Sequence, residues 1–183
     1  MNLNPVGLDL SLTSTGFSCG ELIETISVST KGPERLATIR DRIIELLNSI
    51  ENPCVCVEGY SFASRNSQAH SIGELGGVIR VALWERGIPY VEIPPTTRAK
   101  FATGKGNAAK TEVMSAISAR TGIVWSGKGA DDKCDAWILE QMGKTRLGKP
   151  DYNWPAINLE ALVKIDWSPL QQLEEEVVSL DDE

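Results

Sequence analysis

The order of its predicted strands and helices constrains the fold of this chain more than any other feature of the sequence. Val6, Leu8 and Leu10 alternate with small or polar residues, which predicts a first strand, and short strands follow near residues 17–19 and 25–29. Helical and strand patterns then alternate along the chain. This order predicts an α/β sheet with antiparallel strands first and parallel strands after them.

The later elements are predicted from hydrophobic spacing and from turn residues. Apolar residues at helical spacing predict a helix up to Asn48, and Cys54–Val57 is predicted as a buried strand that ends at Glu58. Further along the chain we predict a helix over residues 68–86, a strand over 90–93, a basic loop over 96–110, and helices over 108–120 and 131–142.

The net charge of −7 is concentrated at the C-terminal end of the chain. Residues 174–183 carry six acids and no base, which leaves a charge of −1 for residues 1–173. From residue 148 onward the periodic pattern decays. We therefore predict a domain over residues 1–147 and a C-terminal extension over residues 148–183 whose acidic tail is disordered.

Within the near-neutral body, the predicted basic loop over residues 96–110 contains no acid. Its basic residues are Arg98, Lys100, Lys105 and Lys110. A local excess of positive charge is compatible with phosphate binding, and it is equally compatible with an ordinary solvated loop. Charge alone leaves both interpretations open.

Cysteine and histidine usage argues against a zinc site. Cys19, Cys54, Cys56 and Cys134 show no C-x-x-C spacing, and His70 is the only histidine. We expect reduced, structural thiols. No apolar run approaches the roughly 20 residues that cross a bilayer, and the N-terminus lacks the features of a signal peptide, so we expect a cytoplasmic protein.

Several acidic residues fall where the sequence predicts burial. Asp9 lies in the middle of the first predicted strand, on the face opposite its apolar residues, and Glu58 closes a buried strand. Asp132 and Asp135 are three residues apart on a predicted helix, which places both on one side of it. Any one of these acids alone is more often a turn former, a helix cap or half of a salt bridge, and Asp131 is predicted to cap the same helix.

A cluster of buried carboxylates indicates a bound cation. Ionised carboxylates in an apolar setting are unfavourable, and several close together repel one another. Oxygen ligands without histidine or thiolate favour a hard ion, magnesium or manganese, over zinc. Two such ions roughly 3.5–4 Å apart can activate a water molecule and stabilise a leaving oxygen in phosphodiester hydrolysis. The sequence therefore predicts a metal-dependent nuclease, provided that the strands and the helix converge.

The order of these motifs resembles that of RuvC-type Holliday junction resolvases, which have a ribonuclease H-like fold. Gly7–Gly16 resembles the opening strand and turn of that family, and Val57–Tyr60 resembles its second acidic motif. Gly73–Val78 is similar to its glycine-bearing dimer helix, and Asp132–Ala136 matches its D-x-x-D-A motif. The resemblance covers residues 5–143 and implies a nuclease that cuts branched DNA to 5′-phosphate and 3′-hydroxyl ends.

The resemblance also implies roles for the acids. Asp9 would bridge two Mg²⁺ ions, which Mn²⁺ could replace, with Glu58 on one side and Asp132 and Asp135 on the other. We expect Asp9→Asn to abolish cleavage and to leave DNA binding largely intact.

Further residues are implied as DNA and dimer contacts. Lys105 and Lys110 would contact phosphate, and Arg98 and Lys100 belong to the same basic stretch. An aromatic ring just after the second acid would lie against the opened junction, a role open to Tyr60 and Phe62. The dimer helix would use Gly73, Gly76 and Gly77.

Three alternatives remain at this stage. A ribonuclease H-like nuclease could act on RNA or an RNA/DNA hybrid, and a dimer could bind branched DNA without cutting it. Residues 104–111 are one residue from a Walker A motif, but a P-loop follows a strand directly and here ten residues separate Ile93 from Gly104. We therefore expect no nucleotide cofactor.

Overall fold

A single sheet of five strands organises the protein, in the order β3-β2-β1-β4-β5. The computed structural model describes residues 2–59 and 67–170, with side chains in the second range from residue 73 onward. The strands are β1 (Asn4–Asp9), β2 (Thr15–Cys19), β3 (Leu22–Ile26), β4 (Pro53–Glu58) and β5 (Tyr90–Ile93). β2 pairs antiparallel with both β1 and β3, whereas β4 pairs parallel with β1 and β5 pairs parallel with β4. The predicted mixed sheet is confirmed.

Helices cover both faces of this sheet. They are α1 (Gly32–Asn48), α2 (Ser67–Trp84), α3 (Pro95–Thr103), α4 (Lys110–Thr121), α5 (Ala130–Arg146) and α6 (Ala156–Leu159), followed by a 3-10 turn over Glu160–Lys164. On one face, Val6, Leu8 and Phe17 pack in a core with residues of α1 and α2. The other face lies under α5.

Two glycines allow α5 to lie directly on the strands. A Cβ at Gly7 would overlap the backbone carbonyl of Ala136, and a Cβ at Gly16 would overlap that of Asp132. Both positions therefore need glycine because the helix backbone occupies the space of a side chain. This contact fixes the height of the first turn of α5 above the ends of β1 and β2.

The first half of the predicted basic loop is a helix, so that prediction was wrong. Pro94 and Pro95 appeared to end the strand, but Pro95 occupies the first turn of α3, where a missing backbone N–H has no cost. The helix ends at Gly104, whose φ of 81° is the left-handed conformation typical of a helix C-terminus.

Residues 148–170 pack on the same core as the predicted domain. The rings of Trp154 and Phe101 are 4.3 Å apart, and the amide of Asn158 donates a 2.7 Å hydrogen bond to the Phe101 carbonyl. Trp167 and Leu170 are buried in this core as well. The described part of the extension is therefore an integral layer beside α3 and α5, and the acidic tail lies outside the described residues.

The cysteines behave as small apolar residues. Cys19, Cys54, Cys56 and Cys134 are free thiols. Burial raises the pKa of Cys54 and of Cys134 to about 12, so these thiols stay protonated at neutral pH. None of the described helices is long and apolar enough to cross a bilayer.

Candidate active site

Two neighbouring parallel strands bring the first two acids together. Asp9 is the last residue of β1, whereas the sequence predicted it in the middle of that strand, and Glu58 is the last residue of β4. Leu8 pairs with Val57 in the register of these strands. Because both strands run in the same direction, their terminal carboxylates lie side by side at one edge of the sheet.

The first turns of α5 supply the other two acids. Asp132 lies in the first turn, half-buried, and Asp135 follows one turn later with only 3% of its surface exposed. Gly129 rather than Asp131 occupies the N-cap position, and Asp131 lies in the first turn. The close packing at Gly7 and Gly16 holds this end of α5 over the end of β1.

The ionisation of the cluster reflects burial and mutual repulsion. Burial raises the pKa of Asp9 well above its ordinary value, and the charges of Glu58, Asp135 and Asp132 raise it further. Burial likewise raises the pKa of Asp135 to about 6, although the Arg98 guanidinium opposes the shift. The four carboxylates thus influence one another across three elements, which is the convergence that the nuclease prediction required.

Arg98 from α3 lies inside this acidic cluster. Its Nε donates to a Glu58 oxygen and one terminal nitrogen donates to an Asp135 oxygen, with only 9% of its side chain exposed. Burial alone would lower the pKa of Arg98, but Glu58, Asp135 and Asp9 raise it, so the side chain stays charged. A guanidinium held in this way does not present a free face to DNA. A direct contact between Arg98 and DNA therefore stays a prediction, and in this structure the guanidinium is paired with Glu58 and Asp135.

The chemistry of the donor set fits a hard divalent cation. The acids of the cluster offer only carboxylate oxygens, and burial together with their mutual repulsion raises the pKa of Asp9. Within residues 2–59 and 67–170, no group of three or more potential ligands is already arranged around a common point. Glu58 and Asp135 turn instead toward Arg98. The carboxylates are thus gathered but are paired with an internal cation.

Comparison with known proteins identifies the family. The family model for crossover junction endodeoxyribonuclease RuvC matches residues 6–136, a span that contains Asp9, Glu58, Asp132 and Asp135. The chain belongs to the RuvC family of crossover junction endodeoxyribonucleases. The RuvC protein of Treponema denticola is 31% identical over 135 residues, which cover 67% of this chain and 76% of that protein.

Solved structures agree with this RuvC assignment. The structure of Thermus thermophilus RuvC superimposes with a TM-score of 0.63 and 25% identity, covering 79% of this chain and 96% of that one. A second structure, T. thermophilus RuvC in complex with Holliday junction substrate, gives a TM-score of 0.64 at 25% identity and covers 81% and 98%. In sequence, the T. thermophilus relative is 31% identical over 57% of this chain and 62% of its own length.

The predicted DNA-binding lysines differ in their ion-pair partners and in their exposure. Lys110 begins α4 and donates a 2.9 Å hydrogen bond to Asp131, with 63% of its side chain exposed. Lys100 pairs with Glu160 at 2.8 Å, and Lys105 is exposed in the turn after α3. Tyr60 and Phe62 lie outside the described residues.

The near-Walker segment over residues 104–111 follows a helix. It begins at the end of α3 and runs into α4, whereas a P-loop joins a strand to a helix. The local backbone therefore differs from a nucleotide-binding loop, and its exposed Lys105 and Lys110 are available for other anions.

The three glycines of α2 differ in burial. Gly76 is buried in the row that contains Leu75 and Ile79, which face the core. At Gly73 and at Gly77 an added Cβ would meet no described atom within 4 Å. Packing within the described part of the chain therefore does not explain glycine at these two positions.

Sequence reasoning missed a second buried charge cluster at the far end of α5. Glu140 is fully buried and accepts hydrogen bonds from the Ser18 hydroxyl at 2.5 Å and from the Gly20 N–H at 2.8 Å. Lys144 lies 2.7 Å from the same carboxylate and also pairs with Asp151. The signal was an acid inside the apolar stretch that runs from Ala136 to Met142, but the partners on β2 cannot be read from that stretch.

Proposed function

We propose that this RuvC-family protein nicks Holliday junctions with Asp9, Glu58, Asp132 and Asp135 as its metal-binding and catalytic residues. The observation that carries this proposal is Asp9, buried at the end of β1 among three other carboxylates. Such an arrangement is unfavourable without a cation, and nucleases of this family are metal-dependent.

The cation we propose is Mg²⁺, two ions per site, with Mn²⁺ as a functional substitute. Asp9 would be the central ligand, because the charges of Glu58 from the strand side and of Asp135 and Asp132 from the helix side all act on it. When bound, the ions would supply an activated water and stabilise the leaving oxygen, giving a 5′-phosphate and a 3′-hydroxyl. The four carboxylates would hold the ions and fix their positions.

Basic residues beside the acids would position the DNA backbone. Partial burial lowers the pKa of Lys110, but its hydrogen bond to Asp131 and the charge of Asp131 raise it. The charges of Asp135 and Asp9 raise it further, so the exposed side chain lies near the acids. A phosphate that enters the site therefore meets Lys110 at its rim, with Lys105 further out in the same segment. The substrate would be met in the cytoplasm.

The outward face of α2 supports a homodimer. Gly77, Val81 and Trp84 recur at helical spacing on this face, and Val81 and Trp84 are 55% and 78% exposed. Gly77 has no side chain and lies beside two exposed apolar side chains, so this face can pack closely against a second copy of the chain. Two copies related by a two-fold axis match the approximate two-fold symmetry of a four-way junction, which needs two cuts.

The first test is cleavage of end-labelled four-way junction, replication fork and plain duplex in magnesium, manganese or EDTA. We expect paired nicks in the junction with either metal, no nicks in EDTA, and no nicks by Asp9→Asn, which should still bind the junction. Lys133→Gln, a change on α5 next to the acids but outside the acidic set, is the control. Tight junction binding without cleavage by the wild type would contradict the proposal and favour a non-cleaving binder.

The second test is the oligomeric state. Gly77→Leu inserts a side chain for which the monomer has room, so the fold should survive while sedimentation shows a weaker dimer. Ala119→Leu adds the same side chain to an exposed position of α4 and serves as control. Equal association by both variants and the wild type would remove α2 as the interface.

A further inference from the structure

Arg98 is buried in a place where a DNA-contacting arginine would not be expected. Only 7% of the residue is exposed, and its guanidinium joins Glu58 at the end of β4 to Asp135 on α5. The charge of Asp9 acts on it as well. It is therefore held by the same carboxylates that are proposed to bind the metal ions.

A planar guanidinium satisfies these carboxylates only in part. It brings one positive charge to a cluster of four acids, whereas a divalent ion brings two charges to a smaller volume. One oxygen of Glu58 and one of Asp135 accept hydrogen bonds from Arg98, and the positive guanidinium beside them repels a second cation. Among the described residues, no group of three or more potential ligands is already arranged for a metal ion.

We propose that Arg98 is a resident counter-cation that competes with the divalent metal for Glu58 and Asp135. In the metal-free protein its guanidinium holds the two carboxylates together, and it must leave them before the metal site forms. The inference rests on the proposed metal site, and it adds a control on that site. Metal affinity is lowered by the fraction of molecules in which Arg98 still occupies the carboxylates.

The experiment measures metal binding without DNA, so that it does not depend on cleavage. Mn²⁺ is titrated into metal-free wild type and into Arg98→Gln by calorimetry, and the melting temperature is recorded in EDTA and in Mn²⁺. We expect Arg98→Gln to bind Mn²⁺ about tenfold more tightly, since one competing cation is removed. In EDTA its melting temperature should be lower than that of the wild type, and Mn²⁺ should raise its melting temperature by more.

The matched control is Lys144→Met, which removes the cation beside the buried Glu140 at the other end of α5. A cation with a structural role alone lowers the melting temperature equally with and without metal. We therefore expect Lys144→Met to lower both values by the same amount and to leave Mn²⁺ affinity unchanged. By contrast, Arg98→Gln should lower the melting temperature more in EDTA than in Mn²⁺.

Two further measurements keep the proposal testable if Arg98→Gln does not fold. Arg98→Lys retains a positive charge but loses the planar fork, so its Mn²⁺ affinity should lie above that of the wild type. In the folded wild type, the side-chain Nε–H resonance of Arg98, assigned by its loss in Arg98→Lys, should shift when Mg²⁺ is added.

The outcomes distinguish this inference from the proposed function. If Asp9→Asn binds Mn²⁺ as tightly as the wild type, the assigned metal site itself is wrong. If Asp9→Asn loses binding while Arg98→Gln binds no more tightly than the wild type, the metal site stands and the competition is refuted. An Arg98 resonance that does not respond to Mg²⁺ would refute it as well.

Discussion

Both ends of α5 bury carboxylates, but the carboxylates have different partners at the two ends. At the far end, Glu140 accepts hydrogen bonds from Ser18 and Gly20 and pairs with Lys144, so its oxygens are satisfied within the protein. At the end near the sheet edge, Asp132 and Asp135 join Asp9 and Glu58. Of the basic residues that the structure describes, only Arg98 is buried beside these acids as a counter-charge.

Burial of an acid therefore does not by itself indicate a functional site. Glu140 is more deeply buried than Asp9, yet its partners make it a structural anchor between α5 and β2. Burial raises the pKa of Asp9, and the like charges that surround it raise this pKa further. An acidic cluster that is not neutralised internally is the feature that indicates an external cation.

The largest expected effect comes from changing one carboxylate to an amide at each end. Asp135→Asn should reduce junction nicking by more than about a hundredfold, because loss of a metal ligand exceeds the roughly 10–100-fold effect of an outer-shell partner. Glu140→Gln should reduce stability but keep nicking by the folded protein within a few-fold. Single-turnover cleavage at saturating enzyme measures nicking by both variants. Equal losses of nicking in the two variants would contradict the proposed difference between the two ends of α5.

The next effect is the pH dependence of stability in EDTA. The pKa of Asp135 is about 6 in the folded protein and near 3.8 when unperturbed, so the folded state holds its proton more tightly. Stability from this group is therefore greatest below pH 4 and declines as pH rises to about 6, by up to about 3 kcal/mol. Urea unfolding at several pH values should show this decline in the wild type and a flatter profile in Asp135→Asn. A wild-type profile that rises over the same window would contradict it.

The smallest effect tests the far end alone. Ser18→Ala removes one of the hydrogen bonds to Glu140 and should cost about 1–3 kcal/mol in urea unfolding, because a buried carboxylate loses a donor. The loss should be equal with and without Mg²⁺, since this cluster does not bind the metal. Ser115→Ala on the exposed face of α4 is the control. A metal-dependent loss in Ser18→Ala would mean that the two ends are coupled through α5.

The sheet and the acids could be predicted because their signals are local. Alternation along β1, the buried run of β4 and the three-residue spacing of Asp132 and Asp135 each lie within a few residues. The convergence of these acids is not local, because it depends on β1 and β4 being neighbours in the sheet. Local patterns identify Asp9 and Glu58, and the structure brings them to one edge.

Arg98 and α3 could not be predicted in the same way. Pro94-Pro95 is compatible with both a strand end and a helix start, and the choice depends on packing of α3 against α5. Arg98 then appeared as part of a basic loop, because its partners lie 40 and 37 residues away. The glycines Gly7 and Gly16 likewise gave no sign in sequence that a helix backbone would occupy their side-chain space.

Trp84 gives the molecule an optical reporter of its own. The chain has five tryptophans, and Trp84 alone is exposed, while Trp125, Trp137, Trp154 and Trp167 are buried or half-buried on the side of α5 and the C-terminal layer. An indole in water emits at longer wavelength than one in an apolar environment. The red edge of the fluorescence spectrum therefore belongs to α2 and the blue edge to the opposite layer, so that association and unfolding can be followed in one unlabelled sample.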